Sequence, residues 1–260
     1  MSRDQFAVTR HDGGVVSLCI ATDEEPYLGR QWVEGFSSAL AELTTDGATR
    51  VLILEGDGRY FSAGASRRAL TDACAEEAFP SYASHAARAL LAVPIPVIAA
   101  ASGHAIGGGL LVALWCDVIA LAEESLYGVN FMQLGFTPGM GATHAVPEAF
   151  GESLGREMLF SGRLLTGREI KEACCPLSHA VLPRTQLPGR AQSMAREIAE
   201  APRESVALLK QNLAARRREA LERALQAEGA DHARVFADPA TAAEIIRRYP
   251  VRTVPAGTGA

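Results

Sequence analysis

The stretch VIAAASGHAIGGGLLVALW, residues 97–115, decides the fold of this chain. Its first five residues form a short apolar run that is typical of a strand buried on both faces. Gly103 and the triple glycine 107–109 allow a sharp turn and a close approach of two backbones. The apolar run from Leu110 predicts a helix, whose first N–H groups lack partners and stand at the positive end of the helix dipole. The stretch therefore predicts a strand, a glycine turn and a helix start suited to a negatively charged oxygen.

Other interpretations of this stretch are weaker. Residues 89–115 carry no formal charge, as a membrane span would, but the prolines, the glycines and His104 argue against a span. A phosphate-binding loop requires Lys-Ser/Thr after the glycines, where Leu110 and Leu111 stand instead, and the dinucleotide motif G-x-G-x-x-G is absent from the stretch. Tight packing of a strand against a helix, without any ligand, stays open at this point.

Length, charge and cysteines limit the remaining possibilities. A chain of 260 residues suffices for one large domain, or for a domain with an appendage. Its net charge of −5 predicts no general affinity for nucleic acid. The five cysteines have neither the number nor the spacing of a disulfide framework or a zinc site, so no metal is expected. The polar N-terminal residues do not resemble a signal peptide, and we expect a cytoplasmic protein that does not enter a membrane.

Strands and helices alternate along most of the chain, which predicts an α/β fold with a parallel sheet. After Pro202 only helices are expected, and they predict a separate layer or an oligomerisation element. The expected organisation is a core over 1–200, a helical oligomerisation region over 201–250 and a disordered tail over 251–260. The individual elements expected are a hairpin over 6–21, strands over 51–54, 97–101, 117–122, 126–128 and 179–182, and helices over 29–43, 79–91, 147–161, 167–173, 189–201, 203–229 and 238–248.

Three motifs resemble the crotonase, or enoyl-CoA hydratase/isomerase, superfamily. They are FSAGA at 61–65, the glycine stretch opened above, and GFTPGMGAT at 135–143. The resemblance covers nearly the whole chain and implies a spiral of ββα turns with a helical C-terminal region that forms trimers or hexamers. It also implies an acyl-thioester substrate whose carbonyl oxygen lies between two backbone N–H groups, which map to Ala65 and Gly108. Such donors stabilise an enolate oxygen by about 3–4 kcal/mol each.

Two residues depart from the pattern of the hydratases in this superfamily. Hydratases use two glutamates to add water, and Leu111 and Phe131 occupy those positions here. Neither side chain can transfer a proton or hold a water. Either catalysis is lost, or the reaction needs the two N–H donors and not the glutamates. Decarboxylation fits the second alternative, because the substrate's own carboxylate leaves and an apolar pocket favours the loss of that charge.

The segment 130–143 further resembles the decarboxylating homologues of polyketide β-branching cassettes. These act on a 3-methylglutaconyl-type group held on an acyl carrier protein, and their proton donor is a histidine whose place His232 matches. A lysine expected after the first N–H donor is absent, and Arg67 and Arg68 are the nearest replacements. No metal or redox cofactor is implied, because the phosphopantetheine arm belongs to the carrier-bound substrate.

Several candidate contact residues have structural alternatives. Tyr82 either lines the pocket or packs its helix, and Asn130 either points into the pocket beside Phe131 or forms a turn. His104 is a candidate substrate contact that more readily serves as a packing or hydrogen-bonding residue. The basic run 216–218, together with a nearby lysine, either receives an acidic carrier protein or forms a solvated helix face.

The sequence therefore predicts a decarboxylase that acts on a carrier-bound 3-methylglutaconyl-type thioester. One alternative is a dehydratase, or a dual dehydratase–decarboxylase, acting on the 3-hydroxy-3-methylglutaryl-type precursor; it needs a base that the motifs do not supply. The other alternative is a protein that binds thioesters or protein partners without catalysis.

Overall fold

The structure is a computed structural model that describes residues 6–21, 27–45, 47–76 and 79–249, with the side chains of 75, 76 and 79–82 outside the description. The tail expected over 251–260 lies outside the described residues.

The strands of the described residues form two sheets. They are β1 (Ala7–Arg10), β2 (Val15–Cys19), β3 (Val51–Glu55), β4 (Tyr60–Ser62), β5 (Val97–Ala101), β6 (His104–Ile106), β7 (Val118–Ala122), β8 (Leu126–Gly128), β9 (Leu165–Thr166) and β10 (Val181–Leu182). One sheet has the order β1-β2-β3-β5-β7-β10 and the other the order β4-β6-β8-β9. The pairs β1–β2 and β8–β9 are antiparallel, and the other pairs are parallel. The predicted α/β fold with a parallel sheet is confirmed.

The helices of the described residues alternate with the strands, and the last three follow the final strand, β10. They are α1 (Arg30–Thr45), α2 (Arg67–Glu76), α3 (Phe79–Ala92), α4 (Gly108–Leu114), α5 (Phe131–Leu134), α6 (Ala142–Phe150), α7 (Glu152–Ser161), α8 (Gly167–Glu172), α9 (Leu187–Glu200), α10 (Arg203–Phe236) and α11 (Pro239–Arg248).

Two predictions about helices were wrong in their bounds. The single helix expected over 147–161 is two helices, because Gly151 has a φ of 81° and ends α6 before α7 begins. The long helix expected over 203–229 continues to Phe236. Gly229 does not adopt the positive φ that would end the helix, and no proline follows it before Phe236. The strands β4, β6 and β9 were not predicted, because two or three residues are too few for a hydrophobic period to show.

The chain winds as a spiral of ββα turns. In one turn β3 joins the larger sheet, β4 joins the smaller sheet, and α2 follows. In the next turn β5, β6 and α4 repeat this order, and β7, β8 and α5 repeat it again. Corresponding strands of successive turns are parallel neighbours, so the loops that follow them lie side by side. The spiral therefore brings the loops after β4 and β6 together.

The strands β2, β3 and β5 of the larger sheet are buried on both faces, as their apolar sequences predict, whereas the edge strand β1 is exposed. Along β5, Val97 and Ala99 belong to the main core, whereas Ile98 and Ala100 face a second core formed with α9. Successive side chains of a strand point to opposite faces, which explains the alternation. This double burial fixes the position of the glycine turn that follows β5.

Helix α10 crosses the rest of the fold, packing against α3, α6 and α11. Its buried face carries three polar side chains, Lys210, Glu228 and His232. Buried polar groups require partners, so these side chains mark the places where α10 is fixed. The boundary expected after residue 200 and the oligomerisation role of this region stay predictions.

Candidate active site

Ala65 and Gly108 follow equivalent strands in successive turns of the spiral. Gly64 has a φ of 75°, and a Cβ there would lie 2.6 Å from the carbonyl oxygen of Ile106 and 3.3 Å from the nitrogen of Gly108. A side chain cannot fit into this approach, so glycine is required. Gly108 is the first residue of α4, where the N–H has no partner within the helix. The structure brings Ala65 and Gly108 to one cavity, and their role as oxyanion donors stays a prediction.

The cavity has a volume of about 540 Å³ and lies between these two turns and α10. This volume is in the range of small-molecule sites, and the wall is mostly apolar with a few polar groups, as such sites usually are. The apolar side chains of the wall are Leu28, Ala63, Leu70, Ala83, Ile106, Phe131, Leu134, Phe136, Met140, Leu164 and Leu225.

His232 contributes a buried imidazole to the wall, with 2% of the residue exposed. Its Nδ1 lies 3.1 Å from the hydroxyl oxygen of Thr137, and its ring stacks on Phe236 and meets the edge of Phe136. Burial lowers the pKa of His232 to about 4, although hydrogen bonds to the backbone of Thr137 and Pro138 act in the opposite direction. The imidazole is therefore neutral at pH 7, unless an anion comes close.

Glu228 was not singled out from the sequence, yet its carboxylate lines the same cavity. It lies one helical turn before His232 and accepts hydrogen bonds from the N–H groups of Gly141 and Thr143 and from the hydroxyl of Thr143. Burial raises the pKa of Glu228 above its ordinary value, although these three hydrogen bonds act in the opposite direction. The sequence offered one signal for Glu228. It lies four residues before the candidate His232, and this spacing places both side chains on one helix face.

Asn130 and Phe131 both lie in the cavity wall, against the glycine turn. A Cβ on Gly107 would lie 3.2 Å from Oδ1 of Asn130 and 3.7 Å from the ring of Phe131. Leu111, by contrast, is fully buried in the main core and does not line the cavity. Its predicted substrate contact is therefore corrected: the helix that begins at Gly108 turns Leu111 into the core.

Three other predicted contact residues lie elsewhere. His104 accepts a hydrogen bond from the N–H of Leu126 at its Nδ1 and does not line the cavity, which matches the structural alternative. Burial and two nearby arginines lower the pKa of His104. Arg67 and Arg68 are exposed at the start of α2 and lie outside the wall, and their substrate contact stays a prediction. Tyr82 lies in α3, but its side chain is outside the described part of the structure.

The described residues place other cations in the wall, Arg88 and Arg248. The guanidinium of Arg88 donates two hydrogen bonds to Glu222, at 2.6 and 2.8 Å, and this partner raises the pKa of Arg88. Arg248 pairs with Glu244 within α11. No pattern in the sequence distinguishes these two arginines from other basic side chains on helices.

Two basic side chains of α10, Lys210 and Arg217, anchor the helix. Nζ of Lys210 lies 2.7 and 2.8 Å from the carboxylate oxygens of Asp117, which also accepts the N–H of Val97. Arg217 donates to the carbonyl oxygen of Cys116, beyond the end of α4. Lys210 and Arg217 therefore bind the chain itself, whereas Arg216 and Arg218 are exposed, and the alternative of a basic face for a carrier protein stays open.

No helix of the described residues combines the length and the apolar character that crossing a membrane requires. Within the same residues, no group of three or more His, Cys, Asp or Glu side chains is placed to hold a metal ion.

The family model for enoyl-CoA hydratase/isomerase matches residues 26–248. The chain therefore belongs to the enoyl-CoA hydratase/isomerase family of enzymes, the crotonase superfamily. The family resemblance inferred from the three motifs is confirmed, as is the crotonase fold.

Relatives of known structure or sequence include decarboxylases of polyketide biosynthesis. The bacillaene synthase decarboxylase PksI of Bacillus subtilis (strain 168) is 37% identical over 188 residues, which cover 72% of this chain and 74% of that protein. The ECH2 decarboxylase domain of CurF from Lyngbya majuscula superposes with a TM-score of 0.85 and 31% identity, over 94% of this chain and 98% of that one. A structure from a dehydratase/decarboxylase enzyme couple involved in polyketide beta-branching superposes with a TM-score of 0.89 and 29% identity, over 95% and 99% of the two chains. The resemblance to the decarboxylating homologues is confirmed.

Proposed function

We propose that this protein decarboxylates a 3-methylglutaconyl-type acyl thioester on an acyl carrier protein during polyketide β-branching. The observation that carries the proposal is the pair of backbone turns at Ala65 and Gly108, which face a cavity whose wall has Phe131 where hydratases use a glutamate. The decarboxylases among the relatives support the same reaction.

The two N–H groups hold the thioester carbonyl oxygen. The bond between the carboxylate and its neighbouring carbon breaks, and its electron pair moves through the double bond onto that oxygen as a dienolate. Carbon dioxide leaves, and one proton added to the carbon skeleton restores the neutral thioester. Because negative charge grows on the carbonyl oxygen, donors placed beforehand at Ala65 and Gly108 stabilise the transition state.

The apolar wall favours the loss of charge from the carboxylate. A carboxylate loses the solvation of bulk water beside Phe131 and Phe136, whereas carbon dioxide is neutral and the remaining charge is spread over the dienolate. Both carboxylate oxygens of Glu228 already accept hydrogen bonds from the chain. Glu228 is therefore poorly placed to activate a water for hydration.

His232 supplies the proton, or holds the water that supplies it. Its imidazole is neutral before substrate binds, since its pKa is about 4. The carboxylate of the substrate, and then the dienolate, raise this pKa, because a nearby opposite charge favours the imidazolium. The residue thus takes up a proton when the anion arrives and transfers it after carbon dioxide has left.

We extend the proposal to the partners and surroundings of the enzyme. The substrate arrives on the phosphopantetheine arm of the carrier, the enzyme assembles as a trimer or hexamer, and it works in the cytoplasm. The reaction is redox-neutral and uses the thioester oxygen as its electron sink, so neither a redox cofactor nor a metal ion is part of the proposal.

Mass spectrometry of the intact carrier tests the proposed function. A carrier loaded with 3-methylglutaconyl is expected to lose carbon dioxide in the presence of the enzyme. A carrier loaded with saturated 3-methylglutaryl is the matched control and is expected to stay intact, since it has no double bond to receive the electrons. If the glutaconyl carrier also stays intact with well-folded enzyme, the proposed function is wrong. Loss of water from the 3-hydroxy precursor would instead show a dehydratase.

A further inference from the structure

Residues 137–143, here called the cavity loop, are bound at one end by Glu228. One carboxylate oxygen accepts the N–H of Gly141 at 2.8 Å, and the other accepts the N–H and the hydroxyl of Thr143 at 2.9 and 2.6 Å. Gly141 precedes α6 and has no side chain to cap it. Glu228 therefore provides the cap from another helix, where the dipole of α6 also favours a negative charge.

The other end of the cavity loop lies against His232. Nδ1 of His232 is 3.1 Å from the hydroxyl oxygen of Thr137. A Cβ on Gly139 would lie 3.2 Å from the ring carbon Cε1, so the absence of a side chain lets the imidazole lie against the loop. Two side chains of α10, one turn apart, thus bind both ends of the same loop.

Met140, in the middle of the cavity loop, adopts a left-handed conformation with a φ of 61°. A residue with a side chain keeps such a conformation only where surrounding contacts hold it. Its carbonyl oxygen accepts the indole N–H of Trp115 at 2.9 Å. Its sulfur packs beside Gly108, since a Cβ on that glycine would lie 3.0 Å from it.

From these contacts we propose that Glu228 is a positioning residue. It holds the cavity loop in the one conformation that places Thr137 and Gly139 around His232 and Met140 against Gly108. Its carboxylate acts on the loop and does not act on the substrate. The kinetic consequence rests on the proposed function, whereas the positioning itself can be measured without substrate.

The first experiment measures the loop without any substrate. Glu228→Gln replaces one acceptor oxygen with an NH₂ group that faces an N–H donor, and we expect amide hydrogen exchange at Gly141 and Thr143 to accelerate by about tenfold or more. The pKa of His232, followed by NMR, is expected to rise towards its ordinary value as water reaches the ring. Glu219→Gln is the matched control, since Glu219 lies on the same helix with 74% of its side chain exposed.

A second pair of variants covers the case in which Glu228→Gln does not fold. Thr143→Val removes only the hydroxyl that donates to Glu228, and we expect a smaller shift in the same direction. Thr143→Ser keeps that hydroxyl, so its exchange rates and the pKa of His232 are expected to stay at their wild-type values.

The kinetic experiment then asks whether the positioning affects catalysis. In Glu228→Gln we expect kcat for decarboxylation to fall by about tenfold to a hundredfold, with KM nearly unchanged and the pH profile of kcat displaced. If exchange in the loop, the titration of His232 or the kinetics stay as in the wild type, the positioning role is refuted. If the wild-type enzyme releases no carbon dioxide, the proposed function fails, and the substrate-free measurements still decide the role of Glu228.

Discussion

The hydroxyl of Tyr249 donates a hydrogen bond to the carbonyl oxygen of Ala65 across 3.0 Å. Tyr249 directly follows α11, whereas Ala65 follows β4, so residues 184 positions apart meet at the cavity. Burial raises the pKa of Tyr249, which keeps its hydroxyl protonated and able to donate. The C-terminal part of the fold therefore fixes the residue proposed to hold the substrate oxygen.

Removing the hydroxyl of Tyr249 is expected to lower activity. In Tyr249→Phe the ring stays in the cavity wall, and the lost hydrogen bond costs about 0.5–1.5 kcal/mol. We expect kcat to fall by about threefold to tenfold, measured by release of carbon dioxide from the loaded carrier. Ile246→Ala, on the exposed face of α11, is the control and should retain wild-type kcat. An unchanged kcat in Tyr249→Phe would show that Ala65 is held by other contacts.

A glutamate introduced at position 111 is not expected to create a hydratase. Leu111 is fully buried in the main core, so Leu111→Glu places a carboxylate among apolar side chains at a cost of several kcal/mol. Urea unfolding should show a large loss of stability, and a crotonyl thioester should gain no water. Phe131→Glu is the comparison, because its side chain faces the cavity and should destabilise the fold less. A Leu111→Glu variant that folds stably and adds water to the crotonyl thioester would contradict the burial of Leu111 in the main core.

Acid should destabilise the wild-type protein more than a variant without His232. The unfolded chain binds a proton at His232 below about pH 6.5, whereas the folded protein binds it only near the lowered pKa of about 4. The unfolded state therefore binds more protons between these values, and the free energy of unfolding falls as the pH falls. The loss attributable to His232 should reach about 3 kcal/mol near pH 4.

The measurement is urea unfolding of wild type and His232→Gln from pH 7 to pH 4. Glu228, whose pKa is raised, contributes with the opposite sign, but it does so in both proteins and largely cancels in the difference. Equal slopes for wild type and His232→Gln would show that the imidazole is more solvated than its burial indicates.

Removing one partner of the buried ion pair between Lys210 and Asp117 should destabilise the fold strongly. The side chain of Lys210 is 3% exposed and that of Asp117 12%, so Lys210→Met leaves a largely buried carboxylate without its partner. We expect a loss of about 3–5 kcal/mol in urea unfolding, and partial recovery in the double variant with Asp117→Asn. Arg223→Met disrupts an exposed pair on the same helix and should change stability by less than about 1 kcal/mol. A near-neutral Lys210→Met would contradict this account.

The sequence predicts best those features for which the local backbone geometry requires a particular type of residue. The triple glycine and the apolar run of β5 each belong to a local pattern. Ala65, Gly108 and His232 were predicted from the family resemblance, and the structure brings them to one cavity. Leu111 was placed correctly on α4 but not against the substrate, because the direction of a side chain depends on how its helix packs.

The polar contacts between distant elements could not be predicted from the sequence. Glu228, Arg88 and Lys210 look like ordinary charged residues of helices, since their partners lie 85 to 134 positions away. Only the packing of α10 across the spiral decides which charged side chains become buried and which partners they meet.

The donors proposed at Ala65 and Gly108 belong to the main chain, and this has a practical consequence for genetics. Every amino acid except proline presents the same N–H, so among side-chain replacements only proline deletes either donor, and its ring also fixes the backbone angle φ. Deleting one without the conformational constraint of proline requires an ester in place of the amide, made by chemical ligation or by incorporating an α-hydroxy acid. Deep mutational scanning would therefore report that these two positions are sensitive to side-chain volume. It would not test the hydrogen bonds proposed for their N–H groups.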